Sequence, residues 1–547
     1  MPPSIDPRTD PKLSELPLPP LAQRHVAAVF DAALSAAPDR LAVRDPARQL
    51  TYAALYEEAL ALAGGLDRLG VAAGEHVLLM LDNHVDHVTA WLALSLTARV
   101  EVPVNTAYKG TILRHVIDDS GARVMIIDAV HGAVIAEVAP ALLTLERLVV
   151  RGDWPADRPV PRFPDRLTVQ RFEELPAARA LPAALNPWDL IGILYTSGTT
   201  GLSKGVRVTH AHAYGYATPA LFDAQRPDEI TLCTLPLFHI GGQWAGVYKS
   251  LIGAAGAVVL PRFSATTFWD DVRRYRCSYA LLLGAMANFL YRQPPSAGDR
   301  DHTLRRITMV PVIAQLDEFK ARFGIEAVAT GYGLTEGSTI VRAPLGYAEP
   351  GLAGWLRPDF EARIVDEHDQ EVPDGRIGEL IVRTRDPWSV MDGYHAMPEA
   401  TVAAWRNQWL HTGDAFRRDG SGRFWFVDRL KDAVRRRGEN VSSFEVESEI
   451  NEHPAVLESA IIAVPSDSTE DEIMACVVLR PGGTLQAEAL LEFLDARLPY
   501  FMVPRYVEFF ESLPKTPTEK IQKQVLRSRG VTAATHDRGP TPRGRPR

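Results

Sequence analysis

The 547-residue chain is 46% hydrophobic and 23% charged with a formal net charge of −9, which excludes wholesale disorder and any general attraction to nucleic acid or anionic membranes. Its length predicts at least two domains. Cys233, Cys277 and Cys476 are few, odd in number and far apart, which argues against a disulfide framework or a thiolate cluster and fits a reducing, cytoplasmic setting.

Residues 1–20 are rich in proline and charge, lack a basic segment followed by an apolar stretch, and read as a disordered N-terminal segment. From Val26 to Val104 apolar strands (Leu41–Val43, His76–Met80, Val100–Val104) alternate with helical stretches, one of them behind a Thr51 cap. This alternation predicts parallel sheet with covering helices. The most apolar candidate membrane spans fail: 84–104 is broken by Arg99, Glu101 and Pro103, and 251–260 is too short. A strand over Arg123–Asp128 and a proline-rich, charged connection over 153–187 follow. A central unit then carries strands at Leu190–Leu194, Thr231–Leu235, Ala257–Leu260 and Ser278–Leu283, with a helix capped by Ser264 and running to Arg276. Beyond about Arg429 the pattern becomes a smaller mixture, with a capping box at Ser442–Glu445 and apolar runs Ala460–Val464 and Met474–Leu479. The expected fold is α/β: a large domain of parallel-rich sheets with covering helices over 21–429, a small mobile α+β domain over 430–530, and a disordered basic tail over 531–547.

The chemistry begins at Tyr195-Thr-Ser-Gly-Thr-Thr-Gly-Leu-Ser-Lys-Gly-Val206. Glycines let the backbone approach an anion, hydroxyls and amides donate to phosphate oxygens, and Lys204 adds a compact positive charge. It is not a Walker A loop, because Ser203 precedes Lys204, Gly205 follows it, and a strand-like Val206-Arg207-Val208 comes next where that motif opens a helix. Four further stretches carry candidate chemistry. Gly331-Tyr-Gly-Leu-Thr-Glu336 suits a nucleotide base and a cation. Trp409-Leu-His-Thr-Gly-Asp414 with Phe426-Val-Asp-Arg429 offers a carboxylate for a ribose diol and a facing donor. Lys431-Asp432 leads to Arg437-Gly-Glu-Asn-Val441, and Leu513-Pro-Lys-Thr-Pro-Thr-Glu-Lys520 is a proline-stiffened loop presenting a lysine. Taken singly, each also reads as ordinary turn or surface.

Together, in this order and at this spacing, the five stretches resemble the adenylate-forming superfamily, and in wording the crotonobetaine/carnitine-CoA ligase branch of ATP-dependent acyl-CoA synthetases. The resemblance implies that Thr196, Ser197, Gly198, Thr199, Thr200 and Lys204 grip ATP phosphates. Gly331, Tyr332 and Gly333 would face the adenine, Thr335 and Glu336 would contact phosphate and Mg²⁺ with Thr200 as a second metal ligand, and Asp414, Arg429 and Phe426 would form the ribose stretch. It implies Lys520 as the adenylation lysine, Lys431 as the hinge about which the small domain turns, Gly438, Glu439 and Asn440 as the lining of a coenzyme A thiol tunnel, and His239 between acyl pocket and tunnel. Thr196, Glu336, His239 and Lys520 are the expected catalytic residues, and the phosphate loop and Lys520 are expected to meet around one ATP. Two positions depart from the family pattern: Glu519 stands where glycine usually precedes the lysine, and Arg437 takes the first of two tunnel glycines.

The implied activity is ligation of a carboxylic acid to coenzyme A through an acyl-adenylate, with a separate carrier protein as alternative acceptor and a non-catalytic acyl-nucleotide sensor as a second alternative. No nucleic acid or integral membrane partner is expected, and monomer and homodimer stay open. The acyl pocket is expected at His239–Trp244, Gly284–Met286 and Gly331–Gly333. Its small residues suggest room, and Trp244 suggests an aromatic face for a quaternary amine. His84-Val-Asp86-His87 has metal-like spacing without a further ligand nearby.

Overall fold

The computed structural model describes residues 10–539 except 197–202, 223–225, 431–433, 437–438, 442, 466–470, 501 and 517–519. The chain divides into two compact units: one formed by 1–362, 382–410 and 421–424, the other by 363–381, 411–420 and 425–547. The smaller unit therefore takes in segments that the sequence had suggested for the large domain, Asp414 and the ribose stretch among them.

In the larger unit the expected parallel strands form. Leu41–Arg44, Gly256–Val259, Ile230–Cys233, Tyr279–Leu283, Arg306–Val310 and Ala327–Leu334 pair in that order, all parallel. Antiparallel Ser338–Ala343 and Leu352–Leu356 continue one side. A second sheet runs Thr168–Arg171, Arg147–Arg151, Val124–Asp128, His76–Met80, Val100–Pro103, Leu190–Thr196 and Lys204–Thr209, parallel until the closing hairpin. Runs buried on both faces explain why these strands read as near-continuous apolar stretches. Met309, Ile307, Phe319 and Phe323 anchor one core, and Leu78, Met80, Ile127 and Leu148 another.

Thr51 caps the helix Tyr52–Arg68, its hydroxyl accepting from the Ala54 amide at 3.2 Å. The helix expected behind Ser264 instead spans Phe268–Tyr275. The Ser264 hydroxyl bonds Thr266 Oγ1 at 3.0 Å and so is not spent on a helix amide, while Arg276 closes the helix in the left-handed region at φ 54°.

Two disordered segments were expected, and both are partly ordered. Leu13 is 3% exposed, Asp10 accepts from the Tyr347 hydroxyl, and Arg342 donates to the carbonyls of Leu13 and Glu15, which fastens residues 10–15 to the larger unit. In the smaller unit His536–Asp537 adds an edge strand to Tyr506–Phe510, with Asp537 bidentate on Arg505. Only 540–547 of that tail lie outside the described residues. The rest of the smaller unit pairs Val456–Val464 with Glu472–Leu479 antiparallel and the latter with Tyr506–Phe510 parallel, and helices Ser443–Asn451 and Ala487–Asp495 contribute Val446, Ile450, Leu490 and Leu494 to its core. No described helix is long and apolar enough to cross a membrane.

Candidate active site

Ligand sites in sheets of this kind gather at the carboxyl ends of parallel strands, and three predicted wall segments begin there. His239 follows Ile230–Cys233, Gly284 follows Tyr279–Leu283, and Gly331–Gly333 lie in the last half of Ala327–Leu334.

The predicted phosphate loop joins two antiparallel strands, Leu190–Thr196 and Lys204–Thr209, whose last paired residues are Thr196 and Lys204. Ser197, Gly198, Thr199 and Thr200 lie outside the described residues. Gly205 is required beside Lys204: a Cβ there would stand 2.7 Å from Ile193 and 3.2 Å from His395. The segment 392–395 lies along this hairpin, with Arg207 donating to Gly393 O at 2.9 Å and His395 to Gly205 O at 2.7 Å. This pairing puts the Tyr394 ring 4.9 Å from the Lys204 ammonium. Glu336 occupies the tight turn between Ala327–Leu334 and Ser338–Ala343. Its Oε1 accepts from Thr196 Oγ1 at 3.3 Å and from the Tyr394 hydroxyl at 3.2 Å. Four side chains from three distant stretches thus converge: Thr196, Lys204, Glu336 and Tyr394. Burial, then the Glu336 charge, push the Tyr394 phenol pKa up, so it stays a hydrogen-bond donor.

Oε2 of Glu336 takes no hydrogen bond from the described residues. A half-buried carboxylate with one free oxygen beside a hydroxyl suits Mg²⁺, which takes few protein oxygens and completes its shell with water and phosphate. Thr335 is buried, and Tyr332 half-buried.

His239 is no core histidine. It is half-buried, and its Nδ1 accepts from the Gly241 amide at 3.2 Å, capping the turn Ile240–Gly242. With Nδ1 accepting, Nε2 carries the proton in the neutral ring. The small residues of this wall have a different cause from the room expected of them. A Cβ on Gly242 would stand 2.2 Å from Pro236 O, and one on Gly284 2.8 Å from Pro311 O, so close backbone approach demands both glycines. Trp244 is buried, its ring 5.7 Å from His212 and 5.6 Å from Tyr216.

In the smaller unit Arg429 Nε lies 3.9 Å from Asp414 Oδ1, and the Phe426 ring meets Phe416 edge-on at 5.5 Å. Lys520 belongs with this pair. Its carbonyl accepts from Thr516 N at 2.8 Å and its amide donates to Thr516 Oγ1 at 3.2 Å. Desolvation around the ammonium lowers its pKa, Arg429 lowers it further, and Asp414 acts in the opposite sense, although the residue as a whole is exposed. Lys431, Gly438 and Glu519 lie outside the described residues. Glu439 and Asn440 form the strand Glu439–Val441, paired with Val434–Arg436, and their side chains lie outside the description.

The metal-like spacing at His84 to His87 resolves into capping and ion pairs. His84 Nε2 meets Asp128 at 2.9 Å, its Nδ1 accepts from the His87 amide, and Asp86 pairs with Arg48 and Arg151.

Two residues were not among the site candidates of the sequence. Tyr394 sits in Asp392-Gly-Tyr-His395, which carries no phosphate-loop signature. Glu101 is the lone charge in the run Val100–Val104. It is 1% exposed, both its oxygens face Gln243 Nε2 at 2.8 and 3.0 Å, and burial pushes its carboxyl up to about 8. A carboxyl whose folded pKa lies above its unfolded value of 4.5 stabilises the fold fully below that value, and the contribution is lost as pH rises through about 8. Glu101→Gln is therefore expected to flatten the fall in stability between these limits and to gain up to about 5 kcal/mol on the wild type across the window. Denaturant melts at a series of pH values measure this; parallel curves would contradict it.

The sequence profile of the AMP-binding enzyme family matches residues 30–395, and that of the AMP-binding enzyme C-terminal domain matches 445–520. The chain belongs to the AMP-binding enzyme family. Among curated relatives, the crotonobetaine/carnitine–CoA ligase of Citrobacter koseri is 32% identical over 88% of this chain and 93% of its own, and that of Salmonella paratyphi B is 31% identical over the same shares. Among solved structures, the chain is similar to a benzoate CoA ligase from Burkholderia xenovorans (27% identity, 92% and 99% of the two chains, TM-score 0.80). It is also similar to an anthranilate CoA ligase in complex with anthranoyl-AMP (25%, 92% and 96%, TM-score 0.80).

Proposed function

We propose that this chain is an AMP-forming acyl-CoA synthetase that acts on an organic acid in the cytoplasm, using ATP, Mg²⁺ and coenzyme A. The observation that carries the reading is the convergence of Thr196, Lys204, Glu336 and Tyr394 at the base of the phosphate loop.

A carboxylate resists nucleophiles because of its own charge, so it must first be given a leaving group. Its oxygen attacks the α-phosphorus of ATP, pyrophosphate leaves, and an acyl-adenylate forms; the sulfur of coenzyme A then attacks the acyl carbon and AMP leaves. Negative charge builds on five-coordinate phosphorus in the first step, and fixed positive groups lower its energy. Glu336 and Thr200 would hold Mg²⁺, which would supply charge neutralisation on the phosphates. Thr196 and Lys204 position the phosphates, Tyr394 holds the Glu336 carboxylate by donating to it, and Lys520 provides the positive charge for adenylation. Asp414 accepts from the ribose hydroxyls while Arg429 donates. Protonated at Nε2, His239 donates toward the acyl group. We assign Gly331–Gly333 to the adenine, Gly438 to Asn440 to the thiol tunnel and Lys431 to the hinge.

The substrate test is AMP release across carboxylic acids that include crotonobetaine, carnitine, benzoate, anthranilate and straight-chain fatty acids, with and without coenzyme A. At least one acid is expected to release AMP in a coenzyme A-dependent way. A panel in which no acid does so would overturn the reading.

A further inference from the structure

The Glu101–Gln243 pair lies apart from every nucleotide motif. Glu101 stands between two parallel neighbours, opposite Val77 on one side and Gly192 on the other, so its side chain must point into one face of the sheet. Among the described residues no arginine, lysine or histidine pairs with it; they offer its carboxyl group only the amide nitrogen of Gln243, 142 positions further along the chain. Gln243 faces both Glu101 oxygens with its NH₂, which turns its carbonyl oxygen the other way. That oxygen, on a residue 2% exposed, has no partner among them.

Its place follows from the helix. Gln243 N bonds His239 O at 3.0 Å, so Gln243 sits one turn beyond the N-cap His239, the residue assigned to the acyl group. At Gln243 the helix widens into the π-helical stretch Gln243–Tyr248, a distortion that recurs at functional sites. Other buried polar atoms without a partner are the Tyr248 hydroxyl, at the far end of the same stretch, and both ring nitrogens of His212, on the helix His210–Ala217, whose ring lies 5.7 Å from that of Trp244. A buried polar atom is costly to leave unpaired, and native proteins keep few such atoms.

We propose that Glu101 is a positioning residue that aims the Gln243 side-chain oxygen into the acyl pocket, where it accepts a hydrogen bond from a hydroxyl or N–H group carried by the acid. Acids bearing such a donor are then selected over hydrocarbon acids of similar size. The inference rests on the reading of the chain as an acid-activating enzyme and names the substrate class within it. A donor is required because the waiting atom is an acceptor, and a hydrocarbon in the same place leaves it unpaired. Rejection of an analogue lacking the matching group is the stronger kind of discrimination a pocket makes.

The test is ATP–pyrophosphate exchange, which reads adenylation without coenzyme A. Benzoate is compared with its monohydroxy and monoamino derivatives, and butanoate with its hydroxy derivatives, in the wild type, Gln243→Leu and Glu101→Gln. The best donor-bearing acid is expected to exceed its parent in kcat/KM by about tenfold or more. That ratio is expected to fall toward one in Gln243→Leu, and to fall in Glu101→Gln, where a second amide lets Gln243 turn; circular dichroism confirms that both variants stay folded. A general packing defect lowers both acids together and leaves the ratio unmoved. The inference is overturned if the parents are preferred, or if the ratio is the same in the wild type and Gln243→Leu, the result for an oxygen satisfied by water. Exchange with none of the acids, alongside no AMP release in the wider panel, is a different outcome and removes the acid-activating reading itself.

Discussion

Lys520→Ala will lower acid-dependent pyrophosphate release by about a hundredfold to a thousandfold while leaving the transfer of a supplied acyl-adenylate to coenzyme A within a few-fold of wild type. The magnitude is that of removing one fixed positive or donor group from a developing anion in a site shielded from water. The asymmetry follows from the chemistry of the two steps. Adenylation builds charge on phosphorus and needs a cation beside it, whereas thiol attack on an acyl-adenylate places charge on the acyl oxygen and sulfur. The surroundings of Lys520 suit a cation of this kind, since desolvation and the Arg429 charge work against its own proton, Asp414 works for it, and two hydrogen bonds tie its backbone to Thr516. An ammonium held in such a balance gains most when an anion arrives. Equal loss of both half-reactions would show that Lys520 serves the site as a whole, and would remove the argument for a domain swing between the two steps.

The second large effect is expected at Glu336. Both Glu336→Ala and Glu336→Gln should reduce adenylation about a hundredfold and raise the Mg²⁺ concentration needed for half-maximal rate. The pair of variants separates two roles. Glutamine keeps an oxygen that accepts from Thr196 and Tyr394, as Oε1 does at 3.3 and 3.2 Å, and removes only the negative charge. If the carboxylate serves the metal, glutamine behaves like alanine, because a neutral amide is a poor ligand for a hard cation. If its purpose is to tie the phosphate hairpin to the turn after Leu334, glutamine restores the rate. A Mg²⁺ titration of the glutamine variant that overlays the wild type would place Glu336 among the structural residues.

Much of the larger unit could be read from the residues because its strands are short apolar runs between helices of ordinary period. His76–Met80 has the bounds read from the sequence, and Leu190–Thr196 and Lys204–Thr209 pair on either side of the glycine- and hydroxyl-rich stretch. Thr196 and Glu336 were legible as separate candidates; their contact, across 140 positions, was not. Tyr394 was invisible because only the backbone pairing of 392–395 with the hairpin carries it to Lys204 and Glu336. The glycines at 242 and 284 show the opposite failure: small residues were read as space, and the backbone had already filled it. At the termini, composition suggested disorder, yet a single buried leucine at 13 and the Arg505–Asp537 pair are enough to fasten their neighbourhoods. Glu101 left a trace in the sequence as a charge inside a buried strand, and its partner could be found only in three dimensions.

The central claim, that the chain joins an acid to coenzyme A through an adenylate, is tested most directly by counting products against ATP consumed with the best acid in the panel. The account predicts one AMP, one pyrophosphate and one acyl thioester for each ATP, with acid-dependent pyrophosphate exchange persisting when coenzyme A is omitted. Release of ADP and phosphate, or a thioester formed without AMP, would contradict it.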